Sequence, residues 1–434
     1  MARRVTEPTS PLQIPDFRSF WLARFLAVFS TLSMVVLIGY QTYDVARSAY
    51  GMSRSEAAFM LGLLGAAQFV PLFLLTPLAG VAADRFDRRI VVLCANAVDV
   101  TIALALAFAT WREGLTLPLL FALAAMHGAT RVFNGPALSA IAPNVVSPQL
   151  LPKAIALSSV AWQIGTVVGP AIGGLLFAWK PSSAYFLSAG LLVASALLII
   201  SIRPMRARHE GPQAHPLKQM IEGFQFVRRE RFLFGCITLD LFAVLLGGAT
   251  AMLPVYARDI LAVGPEGLGI MRGAPAVGAS LIAALLSWRP LEKNVGVKML
   301  WAVVAFGLAT VIFAVSRNFI LSLAALACLG ASDMISVFVR NSLVQLNTPD
   351  NKRGRVSAIS GLAVSASNEL GEFESGLLAG FIGATGAVVF GGLGAIVITG
   401  LWAWIFPELR RAKTFAPTFL HDDQQQQDGK EPAT

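Results

Sequence analysis

Three carboxyl groups fall close together in a long apolar stretch near the end of the chain: Glu369, Glu372 and Glu374. In a helix, Glu369 and Glu372 lie about one turn apart on the same face, whereas Glu374 points away from both. Neighbouring carboxyls in a poorly hydrated site disfavour each other's charged form, so such a pair retains a proton near neutral pH. The pair is therefore a candidate proton-binding site. The alternative is a structural role, in which the carboxyls bond to a neighbouring helix.

A second candidate site lies in an earlier apolar stretch, where His127, Arg131 and Asn134 recur at helical spacing on one face. An arginine in hydrocarbon costs at least about 2.5 to 3.5 kcal/mol on insertion scales, so Arg131 is expected to face a wet cavity or a partner. His127 is the weaker candidate, because a hydrogen-bonded packing role accounts for it better. Further ionisable residues inside apolar stretches are Asp240, Asp333 and Arg340. We predict that these three bind substrate or protons together with Arg131, Asn134, Glu369 and Glu372.

The composition of the whole chain indicates a membrane protein. The 434 residues are 56% hydrophobic and 14% charged, with a mean hydropathy of +0.66, whereas a soluble domain carries about 25% charged residues. A helix needs about 20 mostly apolar residues to cross a bilayer. The sequence predicts an all-α membrane protein with twelve such helices, spans 1 to 12: 19 to 44, 57 to 82, 90 to 110, 117 to 140, 154 to 178, 182 to 202, 231 to 257, 267 to 288, 296 to 315, 319 to 342, 356 to 380 and 382 to 406.

The distribution of basic residues predicts the orientation of the chain. Most of the 34 lysines and arginines fall at the termini and in the even-numbered loops, and basic loops stay in the cytoplasm. Both termini are therefore predicted to be cytoplasmic. The net charge of +9 then reflects topology and attraction to anionic lipid, and not nucleic-acid binding.

The chain is predicted to consist of two similar six-helix bundles. An offset of 202 residues aligns Gly128 with Gly330 and Gly169 with Gly371, in two separate pairs of spans, as a parallel repeat would. The predicted parts are an N-terminal segment (1 to 18), a first bundle (19 to 202), a linker (203 to 230), a second bundle (231 to 406) and a disordered tail (407 to 434). These bundles form two pseudo-symmetric halves.

The same offset places Asp333 at the repeat position of Arg131. Opposite charges at equivalent positions are expected to face each other across a central cavity. The alternative is that Asp333 forms a pair inside its own half. In the linker, Leu217, Ile221 and Phe224 recur at helical spacing, which predicts either an amphipathic helix on the membrane surface or an early start of span 7.

The loop after span 2 is the first segment that points to a known family. It resembles the G-x-x-x-D-R/K-x-G-R/K-R/K loop of the major facilitator superfamily, with Asp87 in place of the second glycine. The resemblance implies that Asp84 is a latch between the halves, because in the family this carboxylate contacts the N-terminus of helix 11, where the helix dipole favours negative charge. The alternative is a charged loop that only fixes topology. The matching positions are Gly80, Asp84, Arg85, Arg88 and Arg89.

Two further motifs resemble those of drug/proton antiporters in that superfamily. In span 4, Arg131 and Asn134 match an R-x-x-Q-G element, with Asn for Gln. Span 5 matches the pattern G-x3-G-P-x2-G-G, which implies a pliable contact between the halves, although small residues also suit ordinary helix packing. The matching positions in span 5 are Gly165, Gly169, Pro170, Gly173 and Gly174.

The stretches that begin at Glu222, Asp333, Thr348 and Asn368 resemble the bacterial branch of the superfamily that includes the enterobactin exporter. The resemblance implies a monomeric, proton-coupled exporter of a siderophore, drug or metabolite. We find no nucleotide-binding loop, hydrolase motif or metal-binding spacing, so neither an enzyme nor a cofactor is expected. The alternatives are an uptake or facilitative transporter, a metal-resistance exporter, and a membrane scaffold or sensor without transport.

Overall fold

The computed structural model describes residues 10–147, 149–204, 216–289 and 291–415, and all regular structure in these ranges is helical. Ten helices of this part are long and apolar enough to cross a membrane. Span 4 is a further long helix, whose mean hydropathy is lowered by its polar residues. The spans correspond to Pro15–Ser48, Arg54–Arg85, Arg88–Trp111, Leu117–Val145, Leu151–Trp179, Pro181–Ser201, Arg231–Ile260, Gly264–Trp288, Val295–Val315, Phe319–Leu346 and the two parts of Asp350–Ile405.

The junction between spans 11 and 12 depends on Gly383. This residue has φ 77° and ψ 160°, a conformation that side chains with a Cβ rarely adopt. Helix continues directly on both sides, so the two spans turn at a single residue. The predicted boundary between 380 and 382 is close to this turn.

Span 7 departs from the predicted continuous helix. Its regular part, Arg231–Leu246, ends at Gly247 and Gly248, and the chain then passes through short helical turns to Ile260. A Cβ on Gly248 would lie 2.6 Å from the carbonyl oxygen of Gly371 in span 11. The two glycines therefore allow span 7 to break where span 11 passes close to it.

The helices of the first half and those of the second half meet along two seams. Span 2 packs on span 11, and span 5 packs on span 8. At the first seam, a Cβ on Gly62 would lie 2.8 Å from the Cα of Gly376. At the second, a Cβ on Gly269 would lie 2.5 Å from the carbonyl oxygen of Pro170. Small residues permit this approach, which supplies packing energy where lipid gives no hydrophobic drive to helix association.

A separate helix, Pro216–Arg229, precedes span 7 and packs on the start of span 11. Glu222 forms an ion pair with Arg355, with their side-chain atoms 2.9 Å apart. The linker therefore forms a helix that is separate from span 7, and this helix packs on the protein. Residues 205–215 lie outside the described part of the chain.

The predicted tail begins with ordered structure. Residues Pro407–Arg411 form a short helix, Leu409 is fully buried, and the Gly296 amide donates to the Ala412 carbonyl at 3.0 Å. The expected disorder is therefore wrong for this beginning of the tail. Residues 416–434 and 1–9 lie outside the described ranges.

Candidate functional site

A cavity with two connected regions lies between the two halves. The first, here called the wide region, has a volume of about 800 Å³ and is lined by spans 1, 2, 4, 5 and 11. The second, the deep region, has about 600 Å³ and is lined from both halves. They share lining residues that include Arg131, Trp162 and Ser365. Spans 1, 4, 7 and 10 contribute to the walls, and so do spans 2, 5, 8 and 11.

Arg131 crosses the cavity to pair with a carboxylate of the other half. Its Nη1 atom lies 3.1 Å from Oε1 of Glu369 on span 11, and the Glu369 side chain is only 9% exposed. A pair this little hydrated is strong only while both members are charged, because loss of one charge leaves the other unpaired in a poorly hydrated site. The contact therefore joins the two halves across the cavity through a pair of opposite charges.

Glu372 lines the deep region one turn along the same face. Its Oε1 atom lies 3.9 Å from Nη2 of Arg272 on span 8. Sequence reasoning missed Arg272, although an arginine in the interior of span 8 is itself a signal, since the cost of inserting it demands a partner. Glu374 does not line the cavity, and its nearest polar contact is the hydroxyl of Ser375 at 3.4 Å.

Asp333 and Asn134 also border the cavity. Asp333 lines the deep region together with Arg131, but Arg131 pairs with Glu369, which was not its expected partner. In the described part of the chain Asp333 has neither an ion pair nor a hydrogen bond through its side chain. Asn134 lines the wide region, and its Oδ1 atom is buried without a hydrogen-bond donor among the described residues.

Asp240 and Arg340 form a buried ion pair between spans 7 and 10, with side chains 7% and 4% exposed. Neither residue lines the wide or the deep region. Arg340 was predicted to act together with Glu369 and Glu372, but its carboxylate partner is Asp240. The two residues fasten spans 7 and 10 to each other inside the second half.

His127 points away from the cavity into the first half. Its Nδ1 atom lies 2.9 Å from Oδ1 of Asp99 on span 3, and the Thr130 hydroxyl donates to the same oxygen at 2.5 Å. All three residues are buried. This arrangement fits the hydrogen-bonded packing role expected for His127. Asp99 was missed because its partners lie on another span.

The family motif in the loop after span 2 is described only in part. The surroundings of Gly80 and the side chain of Asp84 lie outside what the structure describes, so the latch contact stays a prediction. Arg85 is exposed and Arg88 half-buried. Arg89 pairs with Asp87 at 3.0 Å and donates to the carbonyl of Ile202, both within the first half.

Residues of the span 5 motif contact both halves. Gly165, Gly169 and Gly173 pack on span 1 of their own half, against Val28, Phe29 and Ser33. Only Pro170 and Gly174 touch span 8 of the other half, where a Cβ on Gly174 would lie 3.2 Å from the Cα of Gly269. The implied contact between halves thus involves this part of the motif alone.

A charged cluster joins the halves at the end opposite to the chain termini. Asp259 of span 7 accepts from the Tyr43 hydroxyl at 2.6 Å and pairs with Arg47 at 3.2 Å and Arg54 at 3.6 Å. A second pair, from Arg258 to Asp44, measures 3.2 Å. Sequence reasoning counted the arginines of this cluster only as topology charges and gave no role to Asp259. The wide region instead extends towards the end that carries the termini, because it is lined near the start of span 1 and the ends of spans 2 and 4.

A model of a protein family, described as transmembrane secretion effector, matches residues 6–423. The chain belongs to this family. Its resemblance to the major facilitator superfamily and its predicted all-helical membrane fold are thereby confirmed. As a member of a transporter family, the chain is not an enzyme.

Two similar relatives of this transmembrane secretion effector are enterobactin exporters. The protein EntS of Shigella boydii serotype 18 is 26% identical over 375 residues, which cover 85% of this chain and 86% of the relative. EntS of Escherichia coli O1:K1 / APEC is 27% identical over 377 residues, with the same coverage.

Solved structures show the same fold at low sequence identity. The nucleoside transporter NupG superposes with a TM-score of 0.72 and 12% identity, over 90% of this chain and 100% of that one. A peptide transporter, POT, gives a TM-score of 0.72 and 13% identity, over 94% and 100%. At these identities the likeness concerns the fold alone.

Proposed function

We propose that this transporter exports a small organic molecule from the cytoplasm by proton-coupled alternating access. The observation that carries the proposal is the Arg131 to Glu369 pair, which spans the cavity between the halves at 3.1 Å with Glu372 one turn away. The enterobactin exporters among its relatives support the direction, export, and a first substrate class, siderophores. The proposed substrates also include drugs and other metabolites.

The charges in the cavity suggest how protons take part. Two carboxyls, Glu369 and Glu372, are each balanced by one arginine, Arg131 and Arg272. Protonation of Glu369 removes its attraction to Arg131, so the two halves lose one contact that holds them in this arrangement. A proton that binds one arrangement better than the other shifts the population towards it. Asp333 and Asn134 are proposed to contact the substrate or a further proton in the same cavity.

The arrangement along the membrane normal follows from the proposed topology. With both termini cytoplasmic in a bacterial inner membrane, the wide region extends towards the cytoplasm, and the Asp259 cluster closes the periplasmic end. Reporter fusions after Phe406 and within residues 203 to 230 test this topology. A periplasmic signal from either fusion would reverse it. The two six-helix bundles and a monomeric state belong to the same proposal.

Flux measurements test the function itself. The purified full-length chain is reconstituted into proteoliposomes with an imposed proton gradient, and siderophores, including enterobactin, and antibiotics are offered as substrates. We expect uphill movement that stops when an uncoupler dissipates the gradient while ATP is preserved. Movement that runs only downhill and ignores the uncoupler would indicate facilitated transport. Absence of flux for every substrate class, metals included, would favour a scaffold or sensor.

A further inference from the structure

One arginine in the wall of the wide region has no acidic partner. Arg24 lies nine residues after Pro15 at the start of span 1, which is about 14 Å along the helix axis. In the part of the chain that the structure describes, no carboxylate pairs with it, and its Nε atom is buried without an acceptor. The Arg24 side chain is half-buried, and an arginine inside a span is costly unless it has a partner or faces water.

The other arginines of the cavity show that the fold does supply partners elsewhere. Arg131 has Glu369, and Arg272 has Glu372. Among the residues that the structure describes, those that line the wide region include no aspartate or glutamate. The uncompensated charge in this region is therefore positive, and an anion is the ligand that would compensate it.

The residues around Arg24 also indicate the chemistry of the remaining, non-acidic part of such a ligand. Its guanidinium lies over the ring of Trp162, with 6.0 Å from Cζ to the ring centroid, and Trp162 keeps 48% of its surface exposed. About half of the other lining residues are aliphatic, among them Val28, Leu72 and Leu138. An apolar or aromatic body packs on such walls, while one acidic group reaches the arginine.

We infer that Arg24 and Trp162 form a binding site for the acidic group of an amphiphilic organic anion. The inference deepens the proposed function, on which it rests for the direction of transport. Trp162 holds the guanidinium from one side by a cation–π contact, so its other donors stay available for the carboxylate or phenolate. An anion that leaves the cytoplasm is also driven by the inside-negative membrane potential.

The site lies beside a contact between the halves. Gln163, the neighbour of Trp162, donates through Nε2 to the Ala276 carbonyl and to the Ser280 hydroxyl on span 8, both at 3.0 Å. A ligand on Trp162 therefore packs next to a hydrogen bond that must change when the two halves move. Occupancy of the site and movement of span 5 against span 8 are thus mechanically linked.

Two probes that differ only in charge test the site: 2-naphthoate and its neutral isostere 2-naphthamide. Binding of each to the purified full-length protein in detergent is measured by calorimetry. Wild type should bind 2-naphthoate more tightly. Arg24→Gln should weaken 2-naphthoate binding about tenfold or more, the scale of a charge-assisted hydrogen bond, and leave 2-naphthamide within about twofold. Arg24→Lys should recover part of the loss, and Arg112→Gln, which removes an exposed charge elsewhere, should change neither probe.

Three results would overturn the site: no preference of wild type for 2-naphthoate, equal weakening of both probes in Arg24→Gln, or the same loss in Arg112→Gln. Flux separates this failure from failure of the proposed function. If Arg24→Gln does not change export, the proposed transport function remains and the anion site is rejected. If anion binding depends on Arg24 but no export occurs, the anion site remains and the proposed direction of transport is rejected.

Discussion

Arg131 on span 4 and Glu369 on span 11 form an ion pair, 3.1 Å long, that joins the two halves of the chain across the cavity. The repeat had suggested Asp333 as the acid opposite Arg131, because the two occupy equivalent positions. Both line the deep region, but the arginine pairs with a carboxylate on a helix of another repeat position. The internal repeat therefore predicted that Arg131 and Asp333 line the cavity, but not which carboxylate pairs with Arg131.

Replacing either glutamate of the same-face pair by glutamine tests proton coupling. Gln mimics the protonated acid, so Glu369→Gln and Glu372→Gln should fold and bind substrate but lose uphill export and the pH dependence of substrate affinity. Glu369→Gln should have the larger effect, because it breaks the contact between halves at 3.1 Å, whereas the Arg272 contact of Glu372 is looser, at 3.9 Å. Flux and substrate binding from about pH 5 to 9 measure this.

Glu374→Gln is the matched control for the glutamate pair. It removes a carboxyl from the same helix, outside the cavity lining, and should leave coupled export largely intact. Wild-type pH dependence in both Glu369→Gln and Glu372→Gln would assign the pair to structure. The proton site would then have to be sought at Asp333.

The sequence predicted the spans well because a bilayer demands about 20 apolar residues wherever a helix crosses, and it predicted same-face groups such as Glu369 and Glu372 from helical spacing. The sequence did not predict which residues on other helices contact these groups. Arg272, Asp99 and Asp259 were all missed, since a residue's neighbours across a bundle leave no mark in its own segment. Likewise Asp240 and Arg340 were predicted at the site by residue type, whereas the structure pairs them away from the cavity.

The buried pair of Asp240 and Arg340 should stabilise the second half. Asp240→Ala leaves Arg340 charged and unpaired, and removal of one partner of a buried pair costs roughly 3 to 5 kcal/mol. The double variant Asp240→Leu/Arg340→Met should recover most of that loss, because no unpaired charge remains. Thermal unfolding in detergent measures stability, and flux measures function. Export retained by a stable double variant would mark the pair as structural, whereas export lost at full stability would return both residues to the coupling machinery.

The close contact of Gly62 and Gly376 should control access to the cavity from the end closed by the Asp259 cluster. A Cβ on Gly376 would overlap the Cα and backbone nitrogen of Gly62, so Gly376→Val cannot pack in this arrangement and should favour one in which the seam opens. Overpacking costs about 1 to 3 kcal/mol, a shift of roughly 5- to 150-fold. A cysteine at Val35, which lines the deep region, should then react faster with an impermeant thiol reagent applied on the side of the Asp259 cluster, which is periplasmic in the proposed topology. Gly400→Val, where nothing lies within 4 Å, should not change that rate, and an unchanged rate in Gly376→Val would mean that the seam does not open.

Asp259 should hold the same end closed by charge. Asp259→Asn keeps the size of the side chain but removes the negative charge shared by Arg47 and Arg54, so that these arginines and Arg258 repel one another. Asp259 is 12% exposed and Arg54 66%, so the inner contacts contribute most, and we expect the closed arrangement to lose about 1 to 3 kcal/mol. High salt should shrink the difference from wild type, because screening weakens the exposed part of the cluster.

Spin labels on Gly114→Cys and Ile320→Cys, in a chain whose three native cysteines are replaced, report the separation of the two halves at this end. Asp259→Asn should shift the distance distribution towards longer values. Asp44→Asn, which breaks only the half-exposed pair with Arg258, should shift it less. Glu266→Gln removes an exposed acid near the same end of span 8 and should have no effect. If Asp259→Asn and Glu266→Gln give the same distribution as wild type, the cluster does not hold the halves together, and closure at this end depends on helix packing along the Gly62 and Gly376 seam.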